Sequence, residues 1–225
     1  MNMPYYVPPE QLMKDRADFA RKGIARGRAL VALQYANGIA IISENPSTTL
    51  HKISEIYDRI AFAGVGKYNE FDQLRVAGVR SADMKGYQFS RQDVDARGLT
   101  NQYAQILSQM FNESPKPMEV EILIAEVGVD SKSDRLFHVL FDGTVLDEHG
   151  FSVLGGDSES VATRLTANYK SDLALKDALS IAVAALAEAD RKLSHEEVEV
   201  ALLERNGRRR CFKRISDEEV QSLIG

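Results

Sequence analysis

An amphipathic stretch over residues 9–28 stands ahead of the first strand-like run of the chain. Pro8 and Pro9 open it, and proline is well tolerated there because the first N–H groups of a helix have no internal partner. Apolar residues recur on one side at helical spacing, namely Leu12, Met13, Ala17, Phe19, Ala20 and Ile24. Arg16 falls within that side, so we expect its charged end either to extend past a neighbour or to pair with a carboxylate across an interface. The sequence therefore predicts a helix over 9–26, before any strand.

Turn signals and hydrophobic periodicity divide the rest of the chain. Asn37-Gly38 and Asn206-Gly207 each separate two apolar runs, and Asn-Gly is a strong hairpin signal because both residues tolerate a positive φ. Strands are predicted over 29–35, 39–43, 52–57, 60–64, 120–127, 136–141, 144–146, 151–154, 197–205 and 208–215. Helices are predicted over 67–88, from Ser90 onward, over 157–169, from Asp172 onward and from Ser216 onward.

This order of elements indicates the fold class. Two face-to-face sheets of mostly antiparallel strands, with pairs of helices outside them, accommodate the order better than an alternating βαβ scheme does. We therefore predict an α+β fold, a four-layer αββα sandwich with an extra N-terminal helix, formed as a single domain over 9–225. The helix that follows Ser90 is expected to bury a stripe made of Leu99, Tyr103, Ile106, Leu107 and Met110.

Composition excludes several classes of function. With 28 Lys and Arg against 33 Asp and Glu, the net charge of −5 argues against nucleic acid or an acidic membrane surface as the main partner. Cys211 is the only cysteine, so an intramolecular disulfide and a cysteine-rich metal site are both excluded. No apolar run reaches the roughly 18 residues of a membrane span. We expect a cytoplasmic protein that uses no metal and no cofactor.

Two segments of the chain resemble a known family closely. They are FARKGIARG at 19–27 and ENPSTTLHKISEIYDRIAFAGVGKYNEFDQLRVAGVR at 44–80. Both are similar to the α-type subunit of the actinobacterial proteasome core particle, and the resemblance extends over nearly the whole chain. It implies the αββα sandwich of the N-terminal-nucleophile hydrolases, with the helix at 9–26 as the extra helix of α subunits.

The resemblance also implies partners and sites. In that family, α subunits form seven-membered rings on a barrel of catalytic β subunits, gate the entry of unfolded protein substrates, and receive a hexameric ATPase or another ring activator through its C-terminal tails. The positions that match the activator-tail pocket are Lys52, Gly27, Gly64 and Val65, with Arg26 beside them. A flexible gate segment is expected over 1–8, where the relevant residues are Tyr5, Tyr6, Val7 and Pro8. The Tyr-Asp-Arg of archaeal and eukaryotic α subunits is missing there.

Chemical reasoning favours a non-catalytic chain independently of the resemblance. An N-terminal-nucleophile hydrolase needs Ser, Thr or Cys at the start of its first strand, where a freed α-amine acts as the base. Here that strand starts with Ala29 after Arg28, and the first aliphatic hydroxyl of the chain belongs to Ser43. Lys52 is the only lysine between Arg28 and Gly66. The alternatives are a catalytic peptidase or amidase subunit of the same fold and, more weakly, a free-standing binding module.

Overall fold

The computed structural model describes residues 8–187 and 193–224. The described helices are α1 (Pro9–Ala25), α2 (Tyr68–Gln88), α3 (Ala96–Glu113), α4 (Ser158–Asn168), α5 (Leu175–Leu186) and α6 (Asp217–Ile224). The described strands are β1 (Leu30–Tyr35), β2 (Gly38–Glu44), β3 (Ile53–Tyr57), β4 (Ile60–Gly66), β5 (Val120–Glu126), β6 (Arg135–Val139), β7 (Val145–Glu148), β8 (Phe151–Leu154), β9 (Val198–Glu204) and β10 (Phe212–Arg214). The predicted order of elements is confirmed.

The strands form two five-stranded antiparallel sheets. The first has the order β10-β9-β2-β1-β8 and the second has the order β3-β4-β5-β6-β7. The turn between β1 and β2 closes at the pair Tyr35–Gly38, where Gly38 has a φ of +150°, which only glycine adopts without strain. The Asn-Gly signal predicted the hairpin, but the two loop residues are Ala36 and Asn37, and of the Asn-Gly pair only Gly38 has a positive φ.

Three apolar layers hold the sandwich together. Between the sheets lie buried residues from both, including Leu30, Ile39, Ile41, Leu123 and Leu136. Outside the second sheet α2 and α3 form one further core, and outside the first sheet α4, α5 and α6 form another. The αββα sandwich is confirmed, and each sheet is buried on both faces, which explains the long apolar runs in β2, β4 and β9.

Helix α1 packs against β4 and β5 and adds Ala20 and Ile24 to the core between the sheets. Its Arg16 donates to the carbonyl oxygens of Phe111 and Ser114, at 2.7 Å each. The guanidinium therefore extends past its own helix and binds the C-terminal carbonyls of α3, where a cation is favoured. This contact ties α1 to α3 at one end of the sandwich.

Two details of α3 differ from the sequence expectation. Ser90 opens only a short 3-10 turn, and α3 begins later, because the side chain of Asp95 accepts the N–H of Gly98 at 2.7 Å. The buried stripe is centred on Tyr103 and Leu107, which leaves Ile106 and Met110 at its margin. Each of these two side chains is 37% exposed, so the prediction that they are core residues was wrong.

A buried ion pair joins the two sheets at the end where β1 turns into β2. Arg205, just after β9, donates to both carboxylate oxygens of Asp134, just before β6, at 2.6 and 2.8 Å. The Asp134 carboxylate also accepts the N–H of Gly128, and Arg205 donates to the carbonyl of Ala36. The Asp134 side chain is 0% exposed, so its charge depends on these partners.

Candidate functional site

The start of β1 is the position where a catalytic relative of this fold would carry its nucleophile. Here Arg28 and Ala29 occupy it, and neither carries a hydroxyl or a thiol. The hydroxyl that contacts this backbone belongs to Ser43 on β2, and its Oγ lies 3.5 Å from the carbonyl oxygen of Ala29. Ser43 is completely buried within the sheet, so a substrate carbonyl has no access to its oxygen.

Lys52 reaches this position from the other sheet. It lies immediately before β3, and its Nζ donates to the carbonyl oxygens of Arg28 at 3.1 Å and Glu44 at 3.0 Å. These bonds account for two of the three N–H groups of the ammonium. The carbonyl of Lys52 also accepts the N–H of Gly64 at 3.1 Å, so the structure brings these two predicted site residues together.

Burial lowers the pKa of the Lys52 ammonium to about 8, with a further lowering by the Arg28 charge, while the negative charge of Glu199 acts in the opposite direction. The group is therefore mostly protonated at neutral pH, but it lies closer to its titration than an ordinary surface lysine does. An ammonium in this state can bind a carboxylate, and its charge is sensitive to its neighbours.

Arg26 and Gly27, which come just before β1, line a cleft of about 630 Å³. The other lining residues are Phe19, Lys22, Gly23, Gly66, Lys67, Lys116 and Glu119. A Cβ atom at Gly27 would lie 3.1 Å from the carbonyl oxygen of Ile24 and 3.3 Å from the backbone nitrogen of Gly66, so glycine avoids two tight backbone contacts there. Lys52 does not line this cleft. The predicted pocket therefore has two parts, one with Arg26 and Gly27 and the other with Lys52. Arg28 connects them, because it follows Gly27 in the chain and its carbonyl accepts a hydrogen bond from Lys52.

Gly64 and Val65 lie deeper than the sequence suggests. A Cβ atom at Gly64 would lie 2.7 Å from Cγ of Phe71, so the absence of a side chain there allows α2 to pack closely on β4. Val65 is fully buried against Gly155. Both residues can shape a pocket only through their backbone, and their assignment to the activator-tail pocket stays a prediction.

Sequence reasoning missed two features of this region. The first is the group of lysines around the cleft, of which Lys116 binds Glu70 and Glu119 at 2.8 Å each. The second is Glu199, a buried carboxylate in β9 that accepts the backbone N–H of Lys52. A signal for the second was available, since Glu199 stands directly between Val198 and Val200 in the mostly apolar strand VEVALLE.

The predicted gate residues lie mostly outside the described part of the chain. Tyr5, Tyr6 and Val7 belong to the residues that the structure does not describe. Pro8 is described: it is exposed, and its carbonyl accepts the N–H of Leu12 at 3.0 Å in the first turn of α1.

The fold and the strand-start geometry define a sandwich of the N-terminal-nucleophile hydrolase type that carries an additional helix ahead of its first strand. A family model described as proteasome subunit matches residues 24–203. The chain is 56% identical to the proteasome subunit alpha of Acidimicrobium ferrooxidans, over 100% of this chain and 97% of the relative. It is 53% identical to that of Nocardioides sp., over 100% and 90%, and 52% identical to that of Thermomonospora curvata, over 100% and 98%. The chain belongs to the proteasome subunit family, among its α subunits.

In the described part of the chain, no helix has both the length and the apolar character that a membrane crossing requires.

Proposed function

We propose that this chain is a non-catalytic α-ring subunit of a proteasome core particle in the cytoplasm. It assembles with copies of itself and with β subunits, gates the entry of unfolded substrates, and docks an ATPase ring for ATP-dependent degradation. The observation that carries this proposal is the occupation of the strand start: the ammonium of Lys52 binds the backbone at Arg28, where catalysis would require a nucleophile.

A catalytic role is the alternative, and the geometry of Ser43 argues against it. A nucleophile of this fold uses its own free α-amine as the base, whereas Ser43 is an internal residue of β2. Its Oγ lies within hydrogen-bond distance of the carbonyl oxygens of Glu44, at 3.2 Å, and Ala29, at 3.5 Å, and it is shielded from solvent.

Exposed apolar side chains support assembly on two separate surfaces. On α1, Leu12, Met13 and Phe19 remain exposed, and Phe19 lines the cleft. At the C-terminal end of α2, Tyr87 is 90% exposed and Phe89 is 74% exposed. Apolar patches of this kind usually mark protein interfaces, and two patches on different helices suit a subunit that contacts both its own copies and a second ring.

The activator-tail pocket is the part of the proposal with the most specific chemistry. A tail ends in a carboxylate, and Lys52 offers an ammonium N–H toward it. Arg26, Lys22 and Lys67 around the neighbouring cleft add positive charge that attracts an anionic tail. Gly27 allows backbone to approach closely there. We assign tail binding to this region, with Gly64 and Val65 as its backbone wall.

The gate is tested by deletion. Removing residues 2–8 from the chain in assembled α/β particles is expected to raise the cleavage of an unfolded protein several-fold, because seven copies of an apolar segment that precede α1 would otherwise meet at the ring axis. Cleavage of a tripeptide substrate is the matched control, since a small substrate passes a partly closed pore. Unchanged cleavage of the unfolded protein at full assembly would remove the gating role and leave only assembly.

A further inference from the structure

Glu199 carries a buried carboxylate on β9. Its neighbours in the strand, Val198 and Val200, are buried as well. Glu199 pairs with Ser43 of β2, at the end of the first sheet where β1 starts. Only 7% of its side chain is exposed. A carboxylate so placed must be hydrogen-bonded to remain charged, and its partners define what it holds in place.

Every partner of Glu199 belongs to the surroundings of Lys52. Oε2 accepts the backbone N–H of Lys52 at 2.9 Å and the side-chain amide of Asn45 at 2.8 Å. Oε1 accepts the N–H of Ile53 at 3.3 Å and a guanidinium N–H of Arg214. Asn45 in turn donates to the carbonyl of Leu50 at 2.7 Å. One carboxylate of the first sheet therefore fixes the loop that leads into β3 of the second sheet.

We propose that Glu199 is the positioning residue of the activator-tail pocket, which fixes the backbone at Lys52 and supplies the negative charge that keeps its side chain an ammonium. This inference rests on the proposed function, because it concerns the same lysine. Glu199 itself would not touch the tail. Because it acts on the charge of Lys52, tail binding should depend on pH.

The charges around Lys52 decide the direction of that dependence. The charges of Glu199 on β9 and Arg28 before β1 act on Lys52 directly. Behind them, Glu44 at the end of β2 pairs with Arg28, while His51 in the loop and Arg214 on β10 contact the Glu199 carboxylate. Since the Lys52 pKa lies near 8, the ammonium is present below that pH and is lost as the pH rises through it. Loss of Glu199 would lower this pKa further, and loss of Arg28 would raise it.

The experiment measures stimulation of peptide cleavage by a synthetic heptapeptide of the ATPase C-terminus with a free carboxylate, in assembled particles, between pH 6 and 9. Stimulation is expressed relative to the unstimulated rate of the same particle at the same pH. The parent should lose stimulation with a midpoint near pH 8. Glu199→Gln should move the midpoint down by about one pH unit, as expected for removal of one close opposite charge. Stimulation that is weak at pH 7.5 should return at pH 6.5, which a merely misfolded pocket would not allow.

Arg28→Gln serves as the control in the opposite direction. Arg28 is partly exposed and pairs with Glu44, and its backbone carbonyl stays available to Lys52 after the substitution. In Arg28→Gln particles the pH midpoint of stimulation should move up, because the Arg28 charge lowers the pKa of Lys52. If Glu199→Gln keeps the parent midpoint, the inference is wrong and the proposed function stands. If Lys52→Ala particles are stimulated like the parent at every pH, the pocket assignment itself is wrong.

Glu199→Asp tests positioning should the glutamine variant fail to assemble. The shorter side chain keeps the charge but cannot reach Lys52, Ile53 and Asn45 together from β9. We expect reduced stimulation at every pH with the parent midpoint. Parent-level stimulation in this variant would overturn the positioning role.

Discussion

Lys52→Ala is expected to remove nearly all stimulation of the particle by an ATPase ring. A carboxylate bound to an ammonium in a partly enclosed site contributes about 1.5 to 3 kcal/mol, against about 0 to 1 kcal/mol on an open surface. The affinity of a single free tail peptide should therefore fall by about tenfold or more. A ring activator presents several tails at once, so the loss per pocket multiplies through lost avidity.

The measurement compares stimulated with unstimulated cleavage in each particle at moderate salt. Lys132→Ala is the matched control, because Lys132 is an exposed lysine in the turn before β6 with no contact to the strand start. Arg26→Ala should weaken stimulation less than Lys52→Ala, since Arg26 is exposed at the end of α1 and is screened by salt. Full stimulation of Lys52→Ala particles would show that Lys52 does not bind the activator tail and has only a structural role.

Asp134→Ala is expected to lower the free energy of unfolding by about 3 to 5 kcal/mol, because it leaves the largely buried Arg205 without its counter-charge. The same change removes the acceptor of the Gly128 N–H and loosens the contact between β9 and the turn before β6. A loss of this size is a large fraction of the stability of a typical domain, so poor assembly of the ring should accompany it.

Urea unfolding of the purified chain, followed by circular dichroism, measures this loss. Asp147→Ala is the control, since Asp147 is an exposed residue of β7, and a surface change of this kind should stay within about 0.5 kcal/mol. The double variant Asp134→Ala with Arg205→Ala should be less destabilised than the sum of the two single changes. If Asp134→Ala unfolds at the same urea concentration as Asp147→Ala, the ion pair is not a stabilising link between the sheets.

Local sequence signals predicted the elements of this fold well, since turn chemistry and periodicity act over a few residues. Gly38 favours the first hairpin because it tolerates the positive φ found at the closing pair Tyr35–Gly38. The last helix was predicted from Ser216 onward, and Ser216 and Glu219 cap its start, with each side chain accepting the backbone N–H of the other. These are interactions between near neighbours in the chain.

Contacts between distant residues were not predictable in the same way. The pattern showed that Arg16 stood on an apolar side, but its partners lie 95 and 98 residues away at the end of α3. The bond from Lys52 to Glu199 spans 147 residues, and that from Arg205 to Asp134 spans 71. The family resemblance supplied Lys52 as a candidate, whereas its carbonyl partners and the charge of Glu199 beside it emerge only when the two sheets are brought face to face.

The central claim is that this chain shapes and gates a proteolytic particle without performing the chemistry. Treating assembled α/β particles with a covalent threonine-directed inhibitor and then measuring the intact mass of every subunit tests it most directly. We expect one inhibitor adduct on each β subunit and none on this chain, because Arg28 and Ala29 offer no nucleophile at the strand start and Ser43 is buried. A stoichiometric adduct on this chain would contradict it.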